Sequence, residues 1–437
     1  MNRLWQLSIC LAASLLAVAP VRAQSLTATQ ILQEFNVVVF GNFAGGSVDG
    51  RTVVGGNLTS GATFYGSPGS EASSSLAAVS VYGAASGTGN ISIANGGGLT
   101  VAGLNASTFN LSGGGSVYIG GANSGNISNS SGAVTIGING NNAATIQTGS
   151  GGGTVRINGK GGWVNGGTTS NTNVYLPNTA DNNETIQAAT LHYGAVSLTD
   201  PLPNFTTTFK TPLTNLSTQL EGVKANSTTS TSGSTVTFNA APNSSGQAVF
   251  DISSSVLTAG DESIVFDANG ATTIVVNVTC GGANCSISLP SSTQFSNDTG
   301  YASDTLWNFY NASTLNFGAE FGGSVLAPDA AVTNGSPIDG DLIANSFSGS
   351  ADLHNYPFTG NLTFATPEPA SIALLGVGLI GLIAIRRRGN RIPRLGSRKV
   401  RSASHPRVSV VPRAPSSPSA LRSPTLGSSA RGHASPA

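Results

Sequence analysis

The residues of this chain that could carry acid–base chemistry are few and far apart. Before residue 366 there are two histidines, His192 and His354, and neither lies in a recognised catalytic spacing. An enzyme needs nucleophiles, bases or metal ligands that converge on one substrate. His354, within the segment Leu-His-Asn-Tyr-Pro-Phe, is expected to order a turn. The sequence therefore predicts a protein that is not an enzyme and has no catalytic residues.

Five carboxylates at positions typical of turns could bind calcium. They are Asp261, Glu262, Asp267, Asp339 and Asp341. No complete EF-hand and no Gly-Gly-x-Gly-x-Asp array contains them. Aspartate in a turn usually accepts backbone N–H groups instead. We predict no cofactor and no metal ligands, with calcium as the open alternative.

The cysteines predict one disulfide. Cys10 lies in an apolar N-terminal segment, which leaves Cys280 and Cys285 as a pair within a Cys-Gly-Gly-Ala-Asn-Cys loop. In an oxidising compartment these two residues are expected to form a disulfide. Zinc binding is the alternative, but two thiolates without a nearby histidine make a poor zinc site.

Two tryptophans have different predicted roles. Trp163 lies in Gly-Gly-Trp-Val-Asn-Gly-Gly and is the candidate ligand contact, for a glycan or a protein. Trp307, in Leu-Trp-Asn-Phe, is predicted to lie in the core.

The charge distribution excludes nucleic acid as a partner. Residues 24–365 contain five basic and eighteen acidic residues, a formal charge of −13, whereas twelve basic residues and no acid follow from Arg386 onward. Contact with phosphate requires cationic side chains, which the acidic part lacks.

The N-terminus is typical of a secretory signal. Residues 1–23 contain Arg3 near the start, an apolar stretch, and small residues before Gln24. We therefore predict export through the general export pathway and a mature ectodomain that begins near residue 24.

The stretch 96–158 is an internal repeat. A glycine turn repeatedly precedes a short β-branched run, and the last turn glycines are Gly98, Gly115, Gly132 and Gly153, at steps of 17, 17 and 21 residues. A short strand after each glycine corner is typical of a β-solenoid, whose coils bury their apolar faces against each other. The inward pairs are predicted to be Val117 with Ile119, Val134 with Ile136, and Val155 with Ile157. The alternative is a β-sandwich with glycine-rich hairpins.

Two further patterns complete the predicted fold. Leu213, Leu216, Leu220 and Val223 follow helical spacing, with Thr211 as N-cap and Pro212 at the first helical position. Segments 47–57 and 337–345 resemble each other and are predicted to be equivalent coils at separate places in the stack. The fold class is all-β, a right-handed β-solenoid (β-helix) with one flanking α-helix, spanning residues 24–365, followed by a C-terminal transmembrane helix.

The C-terminal region has a three-part signal over residues 366–388. Pro367, Glu368 and Pro369 precede an apolar segment at 370–385, which three arginines follow: Arg386, Arg387 and Arg388. The apolar segment predicts membrane insertion before processing, with the arginines on the cytoplasmic side. The three parts resemble the PEP-CTERM sorting signal of Gram-negative bacteria, and the resemblance implies cleavage by an exosortase-type transpeptidase. Residues 389–437, rich in Arg, Ser and Pro, predict a disordered basic tail.

The ectodomain also resembles a family of surface proteins. Six segments carry the resemblance in the expected order: Phe-Asn-Val-Val-Val-Phe-Gly at 35–41, and the segments 49–57, 306–309, 323–328, 338–344 and 353–358. They are similar to the choice-of-anchor A domain, an adhesive domain of bacterial surfaces with varied C-terminal anchors.

These patterns predict an adhesive protein of a Gram-negative cell surface, envelope or extracellular matrix. Its expected partners are the exosortase-type enzyme, the membrane before processing, and an extracellular polysaccharide or surface ligand. The alternative is a structural scaffold of exopolysaccharide or biofilm. A polysaccharide-active β-helix enzyme is disfavoured by the thinly spread basic residues, and ice binding by the lack of a regular Thr-x-Thr face.

Overall fold

Short parallel strands, stacked coil upon coil, make up most of the protein. The structure is a computed structural model that describes residues 26–364, apart from residues 70, 167–170, 184, 188, 261, 283–284 and 297. The chain divides after Ala365, and all described residues belong to the first unit. The mostly β architecture agrees with the predicted solenoid. Its parallel pairing excludes the alternative sandwich of antiparallel hairpins.

The strands of the solenoid lie on three faces. In stacking order, the first face contains β20 (Gln247–Ser253), β22 (Thr273–Thr279), β25 (Thr305–Asn308), β28 (Ser324–Asn334), β30 (Leu342–Gly349), β1 (Val37–Val39), β3 (Thr52–Val54), β5 (Val79–Val81), β7 (Leu99–Val101), β9 (Gly115–Ile119), β11 (Val134–Ile138), β13 (Gly153–Ile157), β15 (Thr172–Leu176) and β17 (Ala189–Tyr193). The second face contains β23 (Cys285–Leu289), β26 (Ala312–Phe317), the ends of β28 and β30, β2 (Phe43–Gly45), and the starts of β4 (Leu58–Phe64) and β6 (Ala85–Ile93). The third face contains β27 (Phe321–Gly322), β29 (Ile338–Asp339), β31 (Leu353–His354), the ends of β4 and β6, β8 (Thr108–Leu111), β10 (Ile127–Asn129), β12 (Thr145–Gln147), β14 (Trp163–Asn165) and β16 (Ile186–Gln187).

A smaller sheet and several helices complete the described structure. The sheet consists of β18 (Thr228–Ser232), β19 (Thr235–Asn239), β21 (Ser263–Asp267) and β24 (Gln294–Phe295). The α-helices are α1 (Ala28–Glu34), α2 (Thr211–Glu221), α3 (Ser255–Thr258) and α4 (Asp298–Tyr301), with 3-10 turns at Thr179–Asp181 and Ala302–Asp304.

The register of the coils is more regular than the turn glycines indicated. Val117 pairs with Leu99 on one side and Ile136 on the other, and Ile136 pairs with Val155. These pairings give steps of 18, 19 and 19 residues in place of 17, 17 and 21. Aligning Gly132 with Gly115 was therefore wrong by two residues, because the corners differ in length while the inward side chains keep their alignment.

The first coil lies in the middle of the stack. Strand β1 pairs with β3 on one side and with β30 on the other, so that Val38 lies between Val53 and Ile343. The two segments predicted to be equivalent coils at separate places in the stack contribute β3 and β30, the two strands that flank β1. From β1 the chain builds coils towards β17, and its last coils return from the far end to close against β1.

Two helices, rather than the one predicted, cover the first face. Helix α2 buries Leu213, Leu216 and Leu220 as predicted, and α1 packs in the same apolar cluster through Ile31 and Leu32. Helix α1 begins at a capping box formed by Thr27 and Gln30.

Thr211 is not the N-cap of α2. A π-helical stretch, Thr206–Lys210, precedes it, and the Asn204 side chain accepts a hydrogen bond from the Thr207 N–H at 3.0 Å. Pro212 is therefore inside the helix, where it lacks an N–H donor and would crowd the preceding turn. The wider π turn accommodates it.

A ladder of buried asparagines joins successive coils, and the sequence did not reveal it. The Asn105 amide donates to Asn123 at 2.7 Å, Asn123 donates to Asn142 at 2.6 Å, and Asn142 donates to the Gly161 carbonyl at 2.9 Å. All three asparagine side chains are buried. Trp307 is fully buried, as predicted, and its indole N–H donates to the Gly322 carbonyl.

Candidate functional site

Trp163 projects from the third face into solvent. Strand β14 pairs with β12, which places Trp163 beside Thr145. The pairing of β14 with β16 places Thr185 on its other side. The residue is 46% exposed, one of the three most exposed large apolar residues among those described. Because both neighbours in the column are small, the indole ring stands out from the surface. Its role as a ligand contact stays a prediction.

A groove of about 510 Å³ opens at the corner between the second and third faces, beside Trp163. We call it the Trp163 groove, and its principal polar lining consists of Asn126, Asn141, Thr145, Lys160 and Asn183. The volume is within the range typical of sites for small ligands.

Three asparagines of the groove are held in fixed orientations. The Oδ1 atoms of Asn126, Asn141 and Asn183 accept the backbone N–H groups of Thr145, Lys160 and Gly162, at 3.0, 3.0 and 3.3 Å. Among the residues that the structure describes, no acceptor lies within hydrogen-bonding distance of their Nδ2 groups. Within the described part of the chain, the groove therefore presents oriented amide donors that make no hydrogen bond through Nδ2.

A glycine corner sets the position of Trp163. Gly162 has a φ of +62°, and a Cβ atom there would lie 2.5 Å from the Asn142 carbonyl oxygen. Only glycine fits such a corner, since other residues would clash and adopt a strained backbone. Gly162 thus serves a close turn between coils.

Lys160 supplies the positive charge of the groove. Its side chain is exposed, and no carboxylate among the described residues lies within ion-pair distance of it. Arg51 is engaged with Glu71, and Arg156 lies over the Tyr175 ring.

The two histidines have separate surroundings. His192 stacks on Tyr175 with ring centroids 4.5 Å apart and contacts Asn173 through Nε2 at 3.0 Å. His354 Nδ1 lies 2.5 Å from Asp339 Oδ1, and its backbone carbonyl accepts from Asn36. The His354 side chain therefore contacts the preceding coil, and its backbone carbonyl contacts the first coil.

We call the junction between the first and last coils the seam: Asn36, Arg51, Glu71, Asp339, Asp341 and His354. Asp341 is fully buried, and its Oδ2 accepts from the Ser324 hydroxyl and the Phe358 N–H. In the described part of the chain no group of three or more His, Cys, Asp or Glu residues is arranged to hold a metal ion. Asp261 lies outside the described residues, and calcium at these turns stays a prediction.

The structure pairs Cys280 with Cys285, whose Cα atoms are 6.0 Å apart. Replacing both with serine is expected to lower the free energy of unfolding by about 2 kcal/mol, since closing so short a loop removes little entropy from the unfolded chain. Chemical denaturation measures the loss. Reduction of the unaltered protein is expected to cause the same decrease, and equal stability in all three samples would show that the thiols are free.

The predicted export and sorting residues lie outside the described residues. These are residues 1–23, Pro367, Glu368, Pro369, the apolar segment 370–385 and the arginines that follow. Within the described ranges, none of the helices has the length and apolar character needed to cross a membrane.

Comparison with protein families identifies the ectodomain. The family model described as "Putative Ice-binding-like adhesive domain" matches residues 28–137 and 112–355, well over half of the chain. The protein belongs to this adhesive-domain family. A second model, the PEP-CTERM protein-sorting motif, matches residues 365–388 of the adhesive-domain protein. The resemblance to an adhesive surface domain with a PEP-CTERM signal is therefore confirmed, and together the two matches indicate an exported surface protein. Both are adhesive or sorting families and not enzyme families.

Similarity to individual proteins is weak. No curated protein matches the adhesive-domain protein. A similar solved structure is the crystal structure of an ice binding protein from an Antarctic bacterium, Flavobacteriaceae, with 13% identity and a TM-score of 0.20. The match covers 78% of this chain and 100% of the other.

The sequence pattern indicates Trp163 but not the other residues of its groove. Asn126 and Asn141 each precede their hydrogen-bonding partners, Thr145 and Lys160, by 19 residues, one coil. Aligning the sequence on the inward side chains instead of the glycines would have placed Asn126, Thr145 and Trp163 in one outward column.

Proposed function

We propose that the protein is an exported adhesin, displayed on the envelope or matrix of a Gram-negative bacterium after exosortase-type processing. The observation that carries this proposal is that one chain contains both an adhesive domain, over residues 28–355, and a PEP-CTERM motif, over residues 365–388. The parallel stack supplies a rigid scaffold whose outward positions are polar. Such a scaffold favours many weak contacts that add up to adhesion.

Intact mass spectrometry of envelope and secreted fractions tests the processing step. We expect a mature chain that lacks residues 1–23 and everything beyond about residue 367. Replacing Pro367, Glu368 and Pro369 together with alanine is expected to leave the apolar segment attached. Arg422→Ala, in the tail, is the control and is expected to be processed normally. An unaltered protein that keeps its tail to Ala437 in the inner membrane contradicts exosortase processing.

A structural scaffold is the second candidate and makes a different prediction. A scaffold without a specific ligand binds its matrix in proportion to concentration, whereas an adhesin saturates. Saturable attachment of the purified protein to whole cells or matrix favours the adhesin. Ice binding has less support, because Trp163 interrupts the third face and the outward column that contains it mixes asparagine, threonine and tryptophan.

A further inference from the structure

We propose that the Trp163 groove binds an acidic saccharide, with a sugar ring against the Trp163 indole and a carboxylate at Lys160. This inference rests on the proposed adhesive function and names the ligand class of that function. It starts from the chemistry of the lining, which combines one exposed aromatic ring with several hydrogen-bond donors.

The indole is suited to a sugar ring. A pyranose has an apolar face of C–H groups and a rim of hydroxyl groups, so it matches a flat aromatic ring that has polar groups around it. Thr145 and Thr185 flank Trp163 in the column and are too small to cover the ring.

The donors match the rim of a sugar. Asn126, Asn141 and Asn183 each have Oδ1 fixed by a backbone N–H, so each Nδ2 group is oriented before a ligand arrives. Oriented groups lose little conformational entropy on binding. Their spacing follows the coils, and adjacent parallel strands lie about 4.8 Å apart, which places donors along a chain of sugars instead of around one small molecule.

The balance of donors and acceptors favours an acidic sugar. With Oδ1 occupied in three asparagines and an ammonium at Lys160, the groove offers more donors than acceptors. A carboxylate is an acceptor with a negative charge, and no described carboxylate competes for Lys160. The acidic ectodomain weakens this attraction little at physiological ionic strength, where screening acts over about 8 Å.

Calorimetric titration of the purified full-length protein tests the inference, with a galacturonate oligosaccharide and the neutral galactose oligosaccharide of equal length as probes. We expect saturable binding of the acidic probe. Trp163→Ala is expected to weaken it by about thirty-fold, as for an aromatic anchor. Lys160→Gln is expected to weaken it by about fivefold, as for a partly exposed ion pair, and to leave binding of the neutral probe unchanged.

Tyr193→Ala is the matched control, because Tyr193 is 44% exposed but lies outside the groove. Thermal melting of each variant confirms that it folds. If Trp163→Ala binds the acidic probe as tightly as the unaltered protein does, the Trp163 groove is not the binding site. If the unaltered protein binds both probes equally tightly, the preference for an acidic saccharide is wrong.

Attachment to whole cells separates this inference from the proposed function. If the Trp163→Ala protein no longer attaches to cells, the groove inference and the adhesive function are both supported. If attachment persists without saccharide binding, the groove inference fails and a protein ligand takes its place, while the adhesin remains. If the protein is displayed but never attaches, the adhesive function itself fails.

Discussion

Asn36→Ala is expected to lower the free energy of unfolding by about 3 kcal/mol, because two buried backbone groups lose their partners. The Asn36 side chain is fully buried at the seam. Its Nδ2 donates to the carbonyl oxygens of Gly340 and His354, at 2.9 and 3.1 Å, and its Oδ1 accepts the Gly50 N–H at 3.2 Å. One side chain thus connects the first coil with both coils that close against it.

The size of the effect follows from which groups stay satisfied. The His354 carbonyl still accepts the Gly340 N–H at 3.3 Å after the substitution. The Gly340 carbonyl and the Gly50 N–H lose the Asn36 amide. A buried group without a partner costs about 1–3 kcal/mol, and the missing side chain leaves a small cavity as well.

Urea unfolding followed by circular dichroism measures this change. Asn158→Ala is the matched control, since Asn158 forms an exposed amide pair with Asn139 in the same solenoid. Its loss is expected to cost less than about 0.5 kcal/mol. If the free energy of unfolding of Asn36→Ala depends less steeply on urea concentration, the coils from β1 to β17 and the coils from β20 to β30 unfold separately. Equal stability of the two variants contradicts the role assigned to Asn36.

The strands and helices were predictable because their side chains alternate or repeat in ways that burial requires. Val117 and Ile119 point inward two residues apart, and Leu213, Leu216 and Leu220 form one helical stripe. These patterns are local. The corners are not, because glycine marks a turn without stating how many residues the turn contains. This is why the steps of the repeat were wrong while its inward positions were recognised.

The seam could not be predicted, since it depends on which coil docks against which. The similarity between segments 47–57 and 337–345 indicated equivalent coils, but not that both would flank β1. Asn36 lies between Phe35 and Val37, both buried, and nothing local distinguishes it from a polar residue at a strand entrance. Its three partners are 14, 304 and 318 residues away.

The groove shows the same limit. The glycines around Trp163 indicated an exposed aromatic, and the residue is exposed. Lys160 and the asparagines are ordinary surface residues until the coil register brings them together. They form a binding groove only when four successive coils are stacked, and no single repeat contains all of them.

The protein is expected to become more stable as pH falls from 8 to 5. The seam contains carboxyl groups that burial disfavours as anions. Burial raises the pKa of Glu71 to about 7, outweighing the backbone N–H and the charge of Arg51. Burial also raises the pKa of Asp341, against hydrogen bonds from Phe358 and Ser324. The nearby charge of Glu71 raises the pKa of Asp341 further, because it disfavours a second anion.

The sign follows from comparing folded and unfolded chains. Glu71 binds a proton more tightly in the folded protein, where its pKa is about 7, than in the unfolded chain, where it is 4.5. Its contribution to stability is therefore full below pH 4.5 and is lost as pH rises through 7. His354 acts in the same direction. Burial lowers its pKa, but the hydrogen bond and charge of Asp339, with Asp49 and Asp352, raise it overall.

From Glu71 alone, the free energy of unfolding is expected to be about 2 to 3 kcal/mol higher at pH 5 than at pH 8. Glu71→Gln removes the buried charge but keeps an oxygen that can accept the Arg51 N–H, so its pH dependence is expected to be flatter. In this variant the Arg51 guanidinium still donates a hydrogen bond to the Ala72 carbonyl, at 2.7 Å in the unaltered protein. Urea unfolding at several pH values measures both proteins, with Glu221→Gln, an exposed carboxyl on α2, as the control that should keep the full slope. The same slope in Glu71→Gln and the unaltered protein would mean that the seam does not hold a proton at Glu71.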